Sequence, residues 1–310
     1  MHKRFRPPCT PRLSKFLLLA LAAAGCLPGR AVPAFAEAHR PTERETASIL
    51  TVRVLHDEWN APRENVQALL ESAAGQLHRH FDHLEWPAVE VYRSRPLPIT
   101  LHDRGPQGQV RVGLTPQGLF WAQYTFQFGH ELGHLIAGHL ETDRRHQNSW
   151  FEEAVCETAS LFVLRAMYHD WETNPPYSNW KDWRVNLWNY AQKRLDEPGH
   201  RLPDGQDFPA WYREHEASLL EHASHQGALT VIVARHLLPV FESDPAGWQA
   251  VAYLRSGEVN PHGPLEPMLP AWRDACPEPL QGFVVRVGEA LGIDLSSNAP
   301  EEAGDDESAR

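Results

Sequence analysis

Three scarcities bound this 310-residue chain before any motif is considered. Beyond its N-terminal region no apolar run approaches eighteen residues, so no membrane-spanning helix is expected in its body. Positive charge is short: 29 Lys and Arg stand against 40 Asp and Glu, a formal net charge of −11. An acidic body of this kind excludes nucleic acid and anionic membrane surfaces as expected partners. Cysteine is sparse as well, with four in the chain, two of them among the first 36 residues. A disulfide-stapled scaffold is therefore ruled out. Only Cys156 and Cys276 lie in the body, where they form either one disulfide or two buried thiols.

The N-terminus carries what the body lacks. His2, Lys3, Arg4, Arg6, Arg12 and Lys15 precede the apolar stretch Phe16 to Gly25, which is too short to span a bilayer. Ala34-Phe35-Ala36 offers an A-x-A cleavage site, so residues 1–36 are expected to be a signal peptide and the protein to be periplasmic or secreted. The alternative is a lipoprotein anchored through Cys26. Cleavage after Ala36 would remove Lys3, Arg4, Arg6, Arg12, Lys15 and Arg30 and no acidic residue, taking the charge from −11 to −17.

Roughly 270 residues remain, enough for one large domain or two lobes. Short strands are predicted at Ile49 to Val54, Val89 to Tyr92, Ile99 to Leu101 and Val110 to Leu114, with an amphipathic helix from Glu64 to Leu84. From Trp150 onward the pattern is almost wholly helical, over Glu152 to Met167, Trp180 to Leu195, Phe208 to His222, Ala228 to Phe241 and Pro279 to Leu291. The aromatic span containing Trp171, Trp180, Trp183, Trp188 and Trp211 reads as core or lobe packing. Residues 299–310 are acidic and small, without apolar periodicity, and read as a disordered tail.

The chemistry is concentrated in His130-Glu131-Leu132-Gly133-His134, inside a proline-free, apolar segment that runs from Phe120 to Gly138. On a helix, residues four apart lie about 40° from each other and one turn up, so both imidazoles can face one cation. Zinc suits two neutral nitrogens and a carboxylate, with a fourth position kept for water. Glu131 lies between them, where it can accept that water's proton. Eighteen residues beyond His134, Glu153 supplies the carboxylate, preceded by Ser149 as a candidate N-cap. Glu157 is four residues further on the same face, placed to accept the outer N–H of a ligand histidine. Cys156 is the weaker choice for a ligand, and His139, about 140° around the helix from His134, is not expected to be one.

HELGH followed by Trp150-Phe151-Glu152-Glu153-Ala154 resembles the gluzincin metallopeptidases, the group that includes thermolysin and the aminopeptidase N family. The second segment is similar to the Trp-Leu-Asn-Glu-Gly of aminopeptidase N-type enzymes. The resemblance covers about residues 110 to 165 and is specific to the metal centre. It implies one zinc ion held by His130, His134 and Glu153, Glu131 as general base, and Glu157 as the residue supporting a ligand. A Gly-x-Met-Glu-Asn substrate-amine anchor is absent, which does not support an aminopeptidase. Ala137 and Leu140 stand where the metzincin pattern needs Gly and His, and the upstream cysteine of the deformylases is missing.

The fold that this resemblance implies is α+β and zincin-like. Residues 37–145 would form a lobe with a small mixed sheet, ending in the HELGH helix. Residues 146–298 would form a mainly helical lobe beginning with the Glu153 helix, the metal lying in the cleft between. In that family the strand before the metal helix, here Val110 to Leu114, is the edge on which an extended peptide is laid. The expected activity is hydrolysis of a peptide or protein substrate, with a zinc-activated water and Glu131 moving its proton. Tyr177, Tyr190, Tyr212, His222 and His225 are the candidates for stabilising the oxyanion. The alternatives are a zinc hydrolase of a non-peptide amide and an inactive zincin-fold binding protein.

Overall fold

Alternating valines build the sheet. Val52 and Val54, Val89 and Val91, and Val110 and Val112 are all buried, while Arg53, Glu90 and Arg111 between them are less so. That period of two places one apolar face on the core. In a computed structural model, which describes residues 50–55, 58–81, 86–101, 103–139, 150–221, 227–256 and 264–295, these segments are β1 (Val52–Val54), β2 (Val89–Arg93), β3 (Ile99–Leu101) and β4 (Val110–Leu114). Their order is β1-β2-β4-β3, with β1, β2 and β4 parallel and β3 antiparallel to β4. Residues 1–49, which include Cys26, together with Ser149, His222, His225 and residues 299–310, lie outside the described residues, as does the side chain of His139.

The strand Val110–Leu114 is not the edge that its position in sequence suggests. It pairs with β2 on one side and β3 on the other, so both rows of its backbone groups are engaged. The edge on that side of the described sheet is β3. At the opposite edge, Gln67 covers β1: its Oε1 accepts from Val54 N at 2.7 Å and its Nε2 donates to Val52 O at 2.5 Å. A side-chain amide thus stands in for a neighbouring strand.

Gln67 lies on α1 (Arg63–His78), which buries Val66, Leu69, Leu70, Ala73 and Leu77. This helix packs against β1 and against two others, α2 (Trp121–His134) and α3 (Trp150–Asp170). Every residue of α3 from Trp150 to Leu164 is buried, as expected of a helix enclosed on all sides. Among the described residues there follow α4 (Val185–Asp196), α5 (Phe208–Glu221), α6 (Ala228–Ser243), α7 (Trp248–Val251), α8 (Leu265–Ala275) and α9 (Glu278–Leu291), with 3₁₀ segments at Ser178–Arg184 and Pro245–Gly247. The fold is α+β, mostly helical with a small mixed sheet, and the described residues form one compact unit. Among the described residues no helix is long and apolar enough to cross a membrane.

Helices α2 and α3 approach closely because glycine permits it. A Cβ on Gly129 would lie 3.0 Å from Ser160 Cα, and one on Gly133 would lie 2.9 Å from Cys156 Cα. The two contacts run in opposite senses along the helices, so α2 and α3 are antiparallel. Ser160 Oγ donates to Phe126 O across the interface at 2.8 Å. This close pairing sets the candidate site.

Candidate metal centre

His130, Glu131 and His134 all lie on the last turn and a half of α2, buried to 2 %, 3 % and 6 % exposure. The two imidazoles are 4.9 Å apart between ring centres and steeply inclined, at 75°. The helix then loosens into a π turn, Leu135–His139, in which Gly138 leaves helical geometry with φ of 153°.

Across the interface, α3 presents Glu153 to both rings. Its Oε2 lies 3.2 Å from His130 Nε2 and its Oε1 lies 3.7 Å from His134 Nε2. Two ligand atoms each about 2.0–2.1 Å from a tetrahedral zinc would be about 3.3 Å apart. The observed separations bracket that value, and two imidazole nitrogens with a carboxylate are a donor set zinc accepts. Cys156 joins the group: its Sγ and one nitrogen from each histidine lie within 4.8 Å of one another. His130, His134 and Cys156 thus form a buried cluster that could hold a metal ion. Burial pushes the Cys156 thiol up to about 12.

Glu152, which sequence reasoning passed over, supports the site. Its Oε1 lies 2.7 Å from His134 Nδ1, and its carboxylate is gripped by Arg255. Burial disfavours the charged carboxylate, but the hydrogen bonds and charges of His134 and Arg255 outweigh it and hold Glu152 at about 2. Burial also opposes charge on His134, yet Cys156, Glu152 and Glu153 around it raise its pKa well above the usual value. For Glu153 the opposing burial is outweighed by the donors His130 and His134, and its pKa is lowered. Glu157, expected to support a ligand histidine, is turned to α4 instead. Arg194 donates to it from Nε at 2.8 Å and from Nη2 at 3.4 Å. The three acidic residues at the start of α3 are all buried, and none is a solvated first turn.

The sheet reaches the site through β3. Thr100 Oγ1 donates to Glu131 Oε2 at 2.8 Å, with a second contact to Glu131 O at 3.3 Å. The middle of α2 is tied to the residue that follows β4, where Thr115 N donates to Gln127 Oε1 at 2.9 Å. The tyrosines named from sequence sit in other surroundings. Tyr212 donates its hydroxyl to Glu216 at 2.5 Å, Tyr190 packs on Phe126, and Tyr177 packs edge-on against Trp180. Cys156 and Cys276 are both free, buried thiols, so no disulfide joins them.

The signals for the missed residues are uneven. Glu152 adjoins Glu153 and is distinguished from Glu157 only by the rotation of α3 against α2. Thr100 and Arg255 carry no local mark. No protein-family model, curated protein or solved structure matches the chain.

Proposed function

We propose that this protein is an exported zinc-dependent metallopeptidase with a gluzincin-type centre. The observation that carries the reading is the convergence of His130 Nε2 and His134 Nε2 on the Glu153 carboxylate, at 3.2 and 3.7 Å. His130, His134 and Glu153 would hold the ion, in a zincin-like arrangement of an N-terminal lobe through residue 145 and a helical lobe beyond it. Zinc bound there would supply an acidified water and a Lewis acid for the scissile carbonyl.

The chain's own residues do the rest. Glu131 would take the water's proton on Oε1, the oxygen that Thr100 leaves untouched, and later pass it to the leaving amine. Glu152 would keep His134 oriented. Strand β3, the outermost strand of the described sheet on that side and bearing the exposed Ile99, would receive an extended peptide in the role first expected of β4. Residues 1–36 would direct export, to the periplasm or medium, or to a lipid anchor at Cys26.

The test is metal content and turnover of the mature protein. About one equivalent of zinc, lost in Glu153→Ala, together with chelator-sensitive cleavage of a peptide library, supports the reading. Metal content unchanged in that variant removes Glu153 from the ligand set. A second reading rests on the grouping of Cys156 with both histidines: a closed, non-catalytic centre with a thiolate ligand. Cobalt substitution separates the two, because only a cobalt–thiolate bond gives intense near-ultraviolet charge-transfer absorption. Its presence in the parent and loss in Cys156→Ala would favour the closed centre.

A further inference from the structure

We infer that Arg255, from the turn after α7, is a positioning residue for the metal centre: through Glu152 it fixes which nitrogen of His134 faces the metal. The inference rests on the zinc reading for its function and on three contacts for its geometry. Arg255 Nε donates to Glu152 Oε2 at 2.7 Å and Arg255 Nη2 donates to Oε1, so the guanidinium grips both carboxylate oxygens. Oε1 in turn lies 2.7 Å from His134 Nδ1. The side chains of Arg255 and Glu152 are 8 % and 3 % exposed, so water does not compete freely for these bonds.

The chemistry leaves one consistent assignment. A guanidinium can only donate, so the carboxylate it grips accepts on both oxygens. The short contact with His134 then requires Nδ1 to be the donor. A neutral imidazole with its proton on Nδ1 carries its lone pair on Nε2. Nε2 is the atom 3.7 Å from Glu153 Oε1. Arg255 thereby acts on the centre from 121 residues beyond His134, without touching it.

The backbone makes room for this arrangement. A Cβ on Gly138 would lie 2.4 Å from Arg255 Cδ and 3.1 Å from its Nε. Gly138 also has φ of 153°, in the region that favours glycine. The turn that ends the HELGH helix is thus shaped around the arginine that serves its last histidine.

The experiment uses the mature protein and three readouts. Nitrogen–proton correlation spectra of the metal-free protein, recorded at a pH high enough that the His134 ring is neutral, report its tautomer directly, with His134→Gln to assign the signals. Zinc affinity by chelator competition and circular dichroism are measured for the parent, Arg255→Lys and Arg255→Ala. The parent should show the Nδ1–H form. Arg255→Ala should bind zinc about 10–100-fold more weakly and lose that single tautomer. Added guanidinium ion should restore part of both, and Arg255→Lys should fall between. An Nε2–H form in the parent overturns the inference without any variant, even should Arg255→Ala not fold. So does a folded Arg255→Ala with parental affinity and tautomer. A parent that binds no zinc yet shows the Nδ1–H form defeats the zinc reading alone.

Discussion

Glu131 has one carboxylate oxygen engaged by Thr100, so in the proposed reaction Oε1 would be the proton acceptor. Glu131→Gln should therefore retain zinc while turnover falls by a factor of about 10²–10⁴, the usual worth of a general acid–base group; retained activity would sink the assignment. Thr100→Val removes the anchor and not the base. A hydrogen bond to a charged group contributes about 1.5–3 kcal/mol. The variant should accordingly lose roughly tenfold or more in kcat with its zinc affinity unchanged, which steady-state kinetics and chelator competition would check. Cys276, remote in sequence from the metal centre, has a thiol pushed by burial from 9.0 up to about 12. A group with a raised folded-state pKa favours the fold fully below its unfolded pKa, and that contribution is lost as pH rises through the folded one. Between pH 9 and 12 the parent should thus lose more stability than Cys276→Ala, measured as Tm against pH. Equal slopes would show that this thiol is not held back by the fold.

The close pair α2 and α3 is the element on which the site depends. Gly133→Ala would place a methyl 2.9 Å from Cys156 Cα, where the obstacle is backbone that cannot rotate away. Overpacking of this kind costs about 1–3 kcal/mol. Tm should fall by several degrees and zinc affinity with it, because the histidines and Glu153 sit on opposite sides of the forced gap. A drop in Tm with zinc affinity intact would separate the interface from the site. The same interface explains what could be seen in the sequence. Period-two valines marked the strands, and the HELGH spacing marked the helix that brings the two histidines together. Choosing Glu152 over Glu157 was beyond local pattern, since both are acidic and on α3. The choice depends on how α3 is rotated against α2, and that is set by where Gly129 and Gly133 admit Ser160 and Cys156. The strand order was hidden for a related reason: Ile99–Leu101 and Val110–Leu114 look alike locally, and pairing decides which is the edge. Helix α8 was masked by Pro267 and Pro270. The first falls in the opening turn, where its missing N–H has no helical partner to lose, and the second is carried in the interior at some expense.

For the whole molecule, charge sets what approaches. With residues 1–36 removed the formal net charge is −17, from −11 and six lost cations. Cationic peptides should be cleaved with a higher kcat/KM than acidic ones of equal length. That advantage should shrink as salt is raised from about 0.01 to 0.15 M, over which the screening length falls from about 30 to 8 Å. A preference independent of salt would place the selectivity in local contacts. The sheet adds a constraint of a different kind. Since the Gln67 amide closes the outer side of β1, among the described strands it is Ile99–Leu101 whose outer side a further strand could join. A second copy of the chain joining by sheet extension would therefore compete with any extended guest for one and the same row of backbone groups, and fibre growth through both ends of this sheet is blocked by a single glutamine.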